Sequence, residues 1–249
     1  MTQTVETYVT IHDQDLILEC IASDQFKDLD PTYLFVGKRP VDRVPPEVKL
    51  IVCRDYSPNY ERFPHFYDFT GWYVLAKHNL ITADYTIMLQ YDHHVTDTGL
   101  AEDCANRLST NPGMVCFVPT AYDPNNWFLM VDRFKDNFVR AARAAGVDLL
   151  ALMDANPFTW WPTTQGTAWR TEYLTQFMMW FEPVFEELQT ELFAGHIAER
   201  LLKVYTMCNN EAQPTHGLVA HFSKDIHGTS DYMRGNMASF NDKNNRFLA

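Results

Sequence analysis

The sequence has 249 residues, of which 46% are apolar and 14% aromatic. A chain of this length and composition can bury a large core without disulfide bonds, which excludes a disordered, collagen-like or low-complexity protein. The formal net charge of −12 argues against a nucleic-acid-binding protein, but it leaves open a small anionic ligand whose charge a metal ion neutralises.

Short apolar runs alternate with helix-like segments over the first 120 residues. The runs predict buried strands at Tyr8–Ile11, Tyr33–Val36, Lys49–Cys53, Tyr85–Tyr91 and Met114–Pro119. Apolar residues at helical spacing predict helices at Asp15–Ala22 and Asp68–Leu80, and a third helix beyond this region at Asp132–Ala145. This alternation predicts an α/β, Rossmann-like fold with a mainly parallel sheet flanked by helices.

The second half of the chain has a different character. Residues 154–170 are rich in Pro, Thr and Trp and predict a loop. A long amphipathic helix follows, and Pro183 is expected to break it and restart it. A further helix is predicted at His196–Cys208, followed by a loop-like tail with a strand candidate at Leu218–Phe222. We therefore predict a helical, aromatic-rich C-terminal half within a single domain of residues 1–249.

Cysteine usage indicates the compartment. The five cysteines are widely spaced without a CxxC motif, and Cys53 and Cys116 lie in apolar runs where a thiol acts as a small hydrophobe. This usage predicts a reduced, cytoplasmic protein without a disulfide framework or a cysteine zinc site. Residues 1–8 are polar, so neither a signal peptide nor a membrane span is predicted.

The predicted strand Tyr85–Tyr91 ends abruptly in Asp92, His93 and His94. In open α/β sheets ligands bind beyond the carboxyl ends of strands, and in an extended chain Asp92 and His94 point the same way. A carboxylate and an imidazole at this spacing can hold Mn²⁺ or Mg²⁺ and leave coordination positions open for a diphosphate. The alternative is a polar loop with a capping aspartate and solvated histidines.

A second histidine cluster, formed by His216, His221 and His227, lies near the C-terminus and includes Lys224. The first cluster would need a third metal ligand and a cation that neutralises phosphate. His221 and Lys224 can supply these two groups. The alternative is a solvated C-terminal loop.

Two carboxylates are candidates for a general base that takes a proton from an acceptor hydroxyl. Glu199 lies on a predicted helix, which positions a group rigidly, and Asp154 lies beside the Trp-rich loop. The alternative for Glu199 is a surface ion pair with Lys203, four residues on. The loop also carries tryptophans that suit sugar stacking and core anchoring equally well, namely Trp160, Trp161 and Trp169.

Two stretches carry a longer pattern. The first runs from Ser57-Pro-Asn-Tyr60 through Tyr67-Asp-Phe-Thr-Gly-Trp-Tyr73 to Ala83-Asp-Tyr85, and the second comprises Glu172–Leu188 and Ala198-Glu-Arg-Leu-Leu202. Together they resemble a bacterial family of GT-A-type nucleotide-sugar glycosyltransferases associated with capsular and O-antigen synthesis. The matching motifs of that family are Asn-x-Tyr, Glu-Leu-Thr-Ala-x-Tyr-Trp, Ala-Asp-Tyr and Ala-Glu-Arg-Leu. The match covers about half of the chain.

The chain departs from that family after the central strand. The family has His-Tyr-Arg-Arg there, whereas this chain has Tyr91-Asp-His-His94, which favours metal-dependent GT-A enzymes, some of which use Asp-x-His in place of Asp-x-Asp. His221-Phe-Ser is also similar to the His-Phe-x-Gly-x-x-Lys-Pro segment of glycogenin-like enzymes, whose histidine binds the metal. Only His221 transfers, because Lys224 and His227 stand at the Gly and Lys positions.

The resemblance implies a division of labour between the two halves. Residues 1–120 would bind the nucleotide sugar, with uridine as the base, and residues 121–249 would bind the acceptor sugar. The implied nucleotide-binding residues are Thr10, His12, Asp68, Tyr91 and Lys224. Asp68 has an alternative role as a helix N-cap, which contributes about 1 kcal/mol to stability.

These observations favour a metal-dependent glycosyltransferase, either a hexosyl- or a pentosyltransferase, that uses Mn²⁺ or Mg²⁺. It would move a sugar from a nucleotide-sugar donor to an oligosaccharide acceptor, in the synthesis of a surface, capsular or virion glycan. The alternatives are a metal-dependent hydrolase and a non-catalytic carbohydrate-binding module. No GxGxxG, GxxxxGK[ST], GxSxG or HExxH motif occurs, so the enzyme classes that those motifs mark are unsupported.

Overall fold

The structure, a computed structural model, describes residues 3–95, 98–110, 113–117, 120–121, 135–155, 160–161, 166–191, 193–209, 212–214 and 222–224. The strands are β1 (Val5–Ile11), β2 (Thr32–Phe35), β3 (Leu50–Val52), β4 (Tyr85–Gln90), β5 (His93–Val95), β6 (Met114–Cys116), β7 (Thr120–Ala121), β8 (Trp160–Trp161), β9 (Thr167–Arg170), β10 (Ala212–Pro214) and β11 (Phe222–Lys224). The helices are α1 (Gln14–Ala22), α2 (Asp68–Lys77), α3 (Leu100–Thr110), α4 (135–144), α5 (Leu149–Ala155), α6 (Thr171–Glu187) and α7 (Ala194–Asn209).

Seven strands form one sheet in the order β10-β6-β9-β4-β1-β2-β3. β1 pairs in parallel with β2 and β4, β2 pairs in parallel with β3, and β6 pairs in parallel with β10. Only β9 runs antiparallel to its neighbours in this sheet, β4 and β6. The predicted mainly parallel α/β sheet is therefore confirmed. Two small antiparallel pairs, β5–β11 and β7–β8, lie outside this sheet.

β9 lies in the middle of the sheet, so the prediction of a loop over residues 154–170 is wrong for Thr167–Arg170. The strand is four residues long, which is too short to show a periodic pattern, and its backbone partners in β4 and β6 are distant in sequence. Trp169 is fully buried in the core. Of its two predicted roles, core anchoring is therefore the one the structure supports.

α6 runs without interruption through Pro183, so the predicted break is wrong. A proline in a helix interior removes one backbone hydrogen bond and costs about 3 kcal/mol. The opposite side of α6 offsets this cost, because Phe177, Phe181 and Phe185 are fully buried and each contributes about 1.5–3 kcal/mol. Pro183 itself lies on the exposed side of the helix.

Hydrophobic clusters cover both faces of the sheet. Successive side chains along a strand point to opposite faces, so Tyr8 and Met88 enter one cluster while Val9 and Ile87 enter the other. α2, α6 and α7 pack on the first face, which holds most of the aromatic residues. α1 and α3 pack on the second face. No helix in the described ranges is long and apolar enough to cross a membrane.

Phe177 lies at the centre of the aromatic cluster. Its ring stacks on Trp169 with centroids 5.6 Å apart and lies 5.2 Å from the Tyr205 ring. We expect Phe177→Ala to lower the free energy of unfolding by about 3–5 kcal/mol, because it leaves a cavity in a closely packed core. Urea unfolding measures this change. Leu150→Ala is the control, since Leu150 is exposed and its loss should change stability by less than about 0.5 kcal/mol. Equal destabilisation by the two variants would contradict the packing argument.

α2 is held unusually close to β2. A Cβ atom on Gly71 would lie 2.6 Å from the Leu34 Cδ2 atom and 3.0 Å from Val36 Cγ1, so only glycine permits this approach. The close contact places the first turn of α2 beside the carboxyl end of β2. The helix thereby contributes side chains to the sheet edge where the candidate site lies.

Candidate functional site

The sheet has a topological switch point between β1 and β4. From β1 the chain continues to β2 and β3 on one side of β1, whereas β4 pairs with the other side of β1. β1 and β4 reach the same edge, with Thr10 opposite Gln90. Ligands of open α/β sheets bind at such a point, beyond the carboxyl ends of the strands. A cavity of about 420 Å³ lies there, lined by the ends of β1, β2 and β4 and by the start of α2.

Five of the residues predicted from the sequence line this one cavity. They are Thr10, His12, Asp68, Tyr91 and Asp92. Four of them were predicted to bind the nucleotide and the fifth to bind a metal ion. The structure therefore brings together residues from three separate parts of the chain, and the role of each stays a prediction.

Thr10 and Asp68 form part of the cavity wall. Both are buried, with 4% and 6% exposure respectively. The Thr10 hydroxyl has no hydrogen-bond partner among the described residues, and the Asp68 carboxylate accepts a hydrogen bond from the Gln90 amide. The N-cap of α2 is Tyr67 and has no side-chain capping bond, so the alternative role of Asp68 as N-cap is wrong. Asp68 instead turns its carboxylate towards the end of β4.

His12 and Tyr91 form an aromatic pair beside these polar groups. Their rings meet edge to face, with centroids 5.4 Å apart and planes at 73°. Burial, followed by the positive charge of Arg39, lowers the pKa of His12. Burial, followed by the negative charge of Asp92, raises the pKa of Tyr91. Both rings are therefore uncharged at neutral pH, and each presents an apolar body with a polar edge.

Asp92 lies in the turn that follows β4, and its side chain is 13% exposed. The next residue, His93, is fully buried, and its Nδ1 atom accepts a hydrogen bond from the Gln90 backbone N–H at 2.9 Å. His93 Nε2 lies 3.9 Å from Asp92 Oδ1. His93 therefore holds the turn in place and leaves Asp92 at the cavity wall. The side chain of His94 lies outside the described residues.

Within the predicted late histidine segment, the described residues Phe222–Lys224 pair with β5. Lys224 lies opposite His93, Ser223 opposite His94 and Phe222 opposite Val95. The observed strand is β11, which begins directly after His221, rather than the predicted Leu218–Phe222. His221 and the Lys224 side chain lie outside the described residues. Within the described ranges no three side chains form a cluster that could hold a metal ion, so the predicted ligand set stays a prediction.

Glu199 lies one helical turn after Gly195 in α7. Gly195 packs directly under the ring of Tyr67, where a Cβ atom would come within 2.7 Å of Tyr67 Cδ2, and Tyr67 lines the cavity. The Glu199 side chain is 18% exposed, and its Oε2 atom lies 3.8 Å from His196 Nδ1. Lys203 is buried, and burial lowers its pKa to about 8, so the predicted surface setting of a Glu199–Lys203 pair is wrong.

The second candidate base lies on α5. Asp154 is exposed near the end of α5 and does not line the cavity. The tryptophans Trp160 and Trp161 form β8, which pairs with β7, and their side chains lie outside the described residues. Neither Glu199 nor Asp154 lines the cavity, so the choice between the two candidate bases stays a prediction.

Glu61 and Tyr67 are among the cavity residues that the sequence did not single out. Glu61 is 5% exposed and accepts a hydrogen bond from the Gly37 backbone N–H. Tyr67 is 61% exposed and has a positive φ of 48°. Both lie in the first stretch of the family pattern, but nothing local in the sequence distinguishes a cavity carboxylate from a solvated one. The signal lies in contacts between distant segments.

Comparison with solved structures gives matches of different strength. WbbM, a bifunctional glycosyltransferase solved in its apo form, matches with a TM-score of 0.57 and 16% sequence identity over 86% of this chain and 44% of WbbM. The mannosyltransferase Ktr4p from S. cerevisiae matches with a TM-score of 0.40 and 11% identity, over 80% of this chain and 66% of Ktr4p. Its complex with GDP matches with a TM-score of 0.35 and 12% identity. This chain spans less than half of the WbbM chain.

The chain shares its fold with the glycosyltransferase WbbM. The predicted GT-A-like architecture is thereby confirmed, and the likeness to WbbM at this identity concerns the fold alone. No protein-family model matches the sequence, and no curated protein sequence matches it. What the chain binds and which reaction it carries out must therefore be argued from its own residues.

Proposed function

We propose that the chain is a metal-dependent glycosyltransferase that moves a sugar from a uridine diphosphate sugar to a glycan acceptor. The glycan would be a surface, capsular or virion polymer. The observation that carries the proposal is the cavity at the switch point between β1 and β4, where Thr10, Asp68 and Asp92 converge. A cavity of about 420 Å³ with a few convergent polar groups suits a ligand of the size of a nucleotide.

The acidic character of the cavity supports the metal requirement. Asp68 and Asp92 both line it. These carboxylates would repel a diphosphate unless a cation lay between the carboxylates and the phosphates. Asp92, His94 and His221 would hold Mn²⁺ or Mg²⁺, whose preferred ligands include carboxylate oxygens and imidazole nitrogens. When bound, the cation neutralises the charge of the diphosphate leaving group. Lys224 would add a second positive charge, since its backbone pairs with His93.

The acceptor would approach from the side of α7, the helix that carries Glu199. Glu199 would take the proton of the acceptor hydroxyl while that oxygen bonds to the anomeric carbon and the bond from the anomeric carbon to the diphosphate breaks. The proton ends on Glu199 and the electron pair of the broken bond on the diphosphate. This role applies to an inverting reaction, in which the base faces the side opposite the leaving group.

Calorimetry with UDP, with and without Mn²⁺, tests the proposal, combined with assays of UDP-sugar turnover. UDP binding that depends on Mn²⁺, together with UDP release that increases when an acceptor is added, is the expected result. Release of UDP at the same rate without an acceptor would indicate a hydrolase. Binding of free sugars without any binding of UDP or GDP would indicate a carbohydrate-binding module and would overturn the proposal.

Asp68→Asn tests the nucleotide pocket. The asparagine oxygen can still accept the hydrogen bond from Gln90, so α2 and β4 should stay in place. A neutral amide binds a ribose hydroxyl or a base N–H more weakly than a carboxylate does, and we expect UDP affinity to fall about tenfold. Calorimetry measures the affinity, and thermal unfolding checks the fold. Unchanged UDP affinity would make Asp68 a structural contact between α2 and β4.

A further inference from the structure

Glu61 is a buried carboxylate at the carboxyl edge of the sheet. It accepts a hydrogen bond from the backbone N–H of Gly37, which lies two residues after the end of β2. The intervening Val36 donates its N–H to the Ile11 carbonyl oxygen at 2.9 Å, which fixes this end of β2 to the end of β1. Glu61 is therefore held rigidly beside the cavity, and it contributes to the cavity lining.

The two carboxylate oxygens of Glu61 have different surroundings. Oε2 accepts the Gly37 N–H, whereas Oε1 is buried and has no hydrogen-bond partner among the described residues. Burial raises the pKa of Glu61, while the Gly37 amide, the Thr70 hydroxyl and Arg54 partly oppose that rise. The Thr70 hydroxyl lies near Glu61, and the hydrogen bond it makes at 3.0 Å goes to the Tyr67 carbonyl oxygen. A buried acceptor without a donor is costly, so Oε1 calls for a donor from a ligand.

Tyr67 presents an aromatic face at the mouth of the same cavity. Its backbone has φ 48° and ψ −117°, a conformation that costs a residue with a side chain about 1–3 kcal/mol. Two contacts hold it there: the Thr70 hydroxyl bonds to its carbonyl oxygen, and its ring lies against Gly195. Strain of this kind persists where the surroundings impose it, and here it leaves the ring 61% exposed beside the cavity.

We infer that Glu61 and Tyr67 together form the nucleoside subsite of the cavity, in which Glu61 Oε1 accepts a hydrogen bond and Tyr67 stacks on the base. This inference rests on the proposed function. The donor on the ligand is either a ribose O–H or a base N–H, because both complement a carboxylate oxygen. An exposed aromatic face adds stacking, which contributes to binding for every nucleobase. Glu61 would thus act in substrate binding and recognition.

Glu61→Gln is the decisive variant. The glutamine oxygen can keep the Gly37 hydrogen bond, which leaves an NH₂ group facing the donor of the ligand. A hydrogen bond to a charged group is then lost, and the affinity for UDP in the presence of Mn²⁺ should fall at least about tenfold. Glu182→Gln is the matched control, since Glu182 is a partly buried carboxylate that bonds to Lys77 and Tyr73 far from the cavity lining. It should leave UDP affinity unchanged.

Modified nucleotides identify the donor group on the ligand. If the wild type binds 2′-deoxy-UDP or 3′-deoxy-UDP more weakly than UDP and Glu61→Gln shows no such difference, the hydrogen bond is assigned to the ribose. The same pattern with N3-methyl-UDP assigns it to the base. If Glu61→Gln does not fold, equal binding of UDP and all three analogues by the wild-type protein overturns the inference.

Tyr67 has its own pair of variants. Tyr67→Phe keeps the ring and should bind UDP like the wild type, whereas Tyr67→Leu removes the stacking face and should lower affinity at least about fivefold. Equal UDP affinity of wild type, Glu61→Gln and Tyr67→Leu would overturn the inference while the proposed function stands. Failure of the wild-type protein to bind UDP and GDP would overturn the proposed function, and with it this inference.

Discussion

Asp92→Ala is expected to lower metal-stimulated turnover at least about a hundredfold while the fold persists. Asp92 lies in the turn after β4 at the wall of the cavity, and the buried His93 ring holds that turn through the Gln90 N–H. Removal of the carboxylate takes away an anionic ligand that a water molecule replaces poorly. The variant should also lose the effect of Mn²⁺ on UDP affinity, which calorimetry measures independently of turnover.

The matched control lies at the other end of the same strand. Asp84 immediately precedes β4, accepts a hydrogen bond from the Thr4 N–H at 3.0 Å, and is remote from the cavity lining. Asp84→Ala should leave both Mn²⁺ stimulation and turnover close to those of the wild type. Near-normal, metal-stimulated activity of Asp92→Ala would refute the metal site.

Glu199→Gln is expected to lower kcat at least about a hundredfold and to leave UDP affinity within a few-fold of the wild type. Glutamine keeps the size and polarity of the side chain but cannot take a proton at neutral pH. Four residues along a helix correspond to a rise of about 6 Å, and helical side chains lean towards the N-terminus. Glu199 therefore lies one turn beyond Gly195, the residue that packs against the Tyr67 ring.

Asp154→Asn provides the comparison, because Asp154 was the second candidate base and lies exposed on α5. It should retain wild-type kcat. Single-turnover assays with a UDP sugar and an acceptor separate the chemical step from binding for both variants. Glu199 would be structural if its variant lost thermal stability but kept kcat per folded molecule. A loss of kcat in Asp154→Asn alone would assign the base to Asp154.

Much of the cavity wall could be predicted because strand ends are visible in the apolar pattern. Thr10 and His12 lie at or just beyond the end of β1, and Tyr91 and Asp92 just beyond the end of β4. The carboxyl ends of adjacent parallel strands meet at one edge of a sheet, so residues that end two such runs come together. α3 was also readable in principle, since Leu100, Cys104 and Leu108 recur every four residues and are fully buried.

Glu61 and Tyr67 could not be found in this way. Glu61 meets Gly37 across 24 residues that include β3, and Tyr67 meets Gly195 across more than half of the chain. Each contact joins segments that are far apart in the sequence, so no residue spacing within one segment predicts it. A carboxylate in a polar loop has the same sequence signature whether water or a cavity surrounds it.

The sequence by itself determined the alternation of strands and helices, the mainly parallel sheet and the polar end of β4. These features follow from local periodicity, because a buried face requires apolar residues at the repeat of its element. Only the tertiary structure decided that β9 enters the sheet between β4 and β6, that α6 continues through Pro183, and that Lys203 is buried. In each case long-range pairing or packing contributes more free energy than the local preference that opposes it.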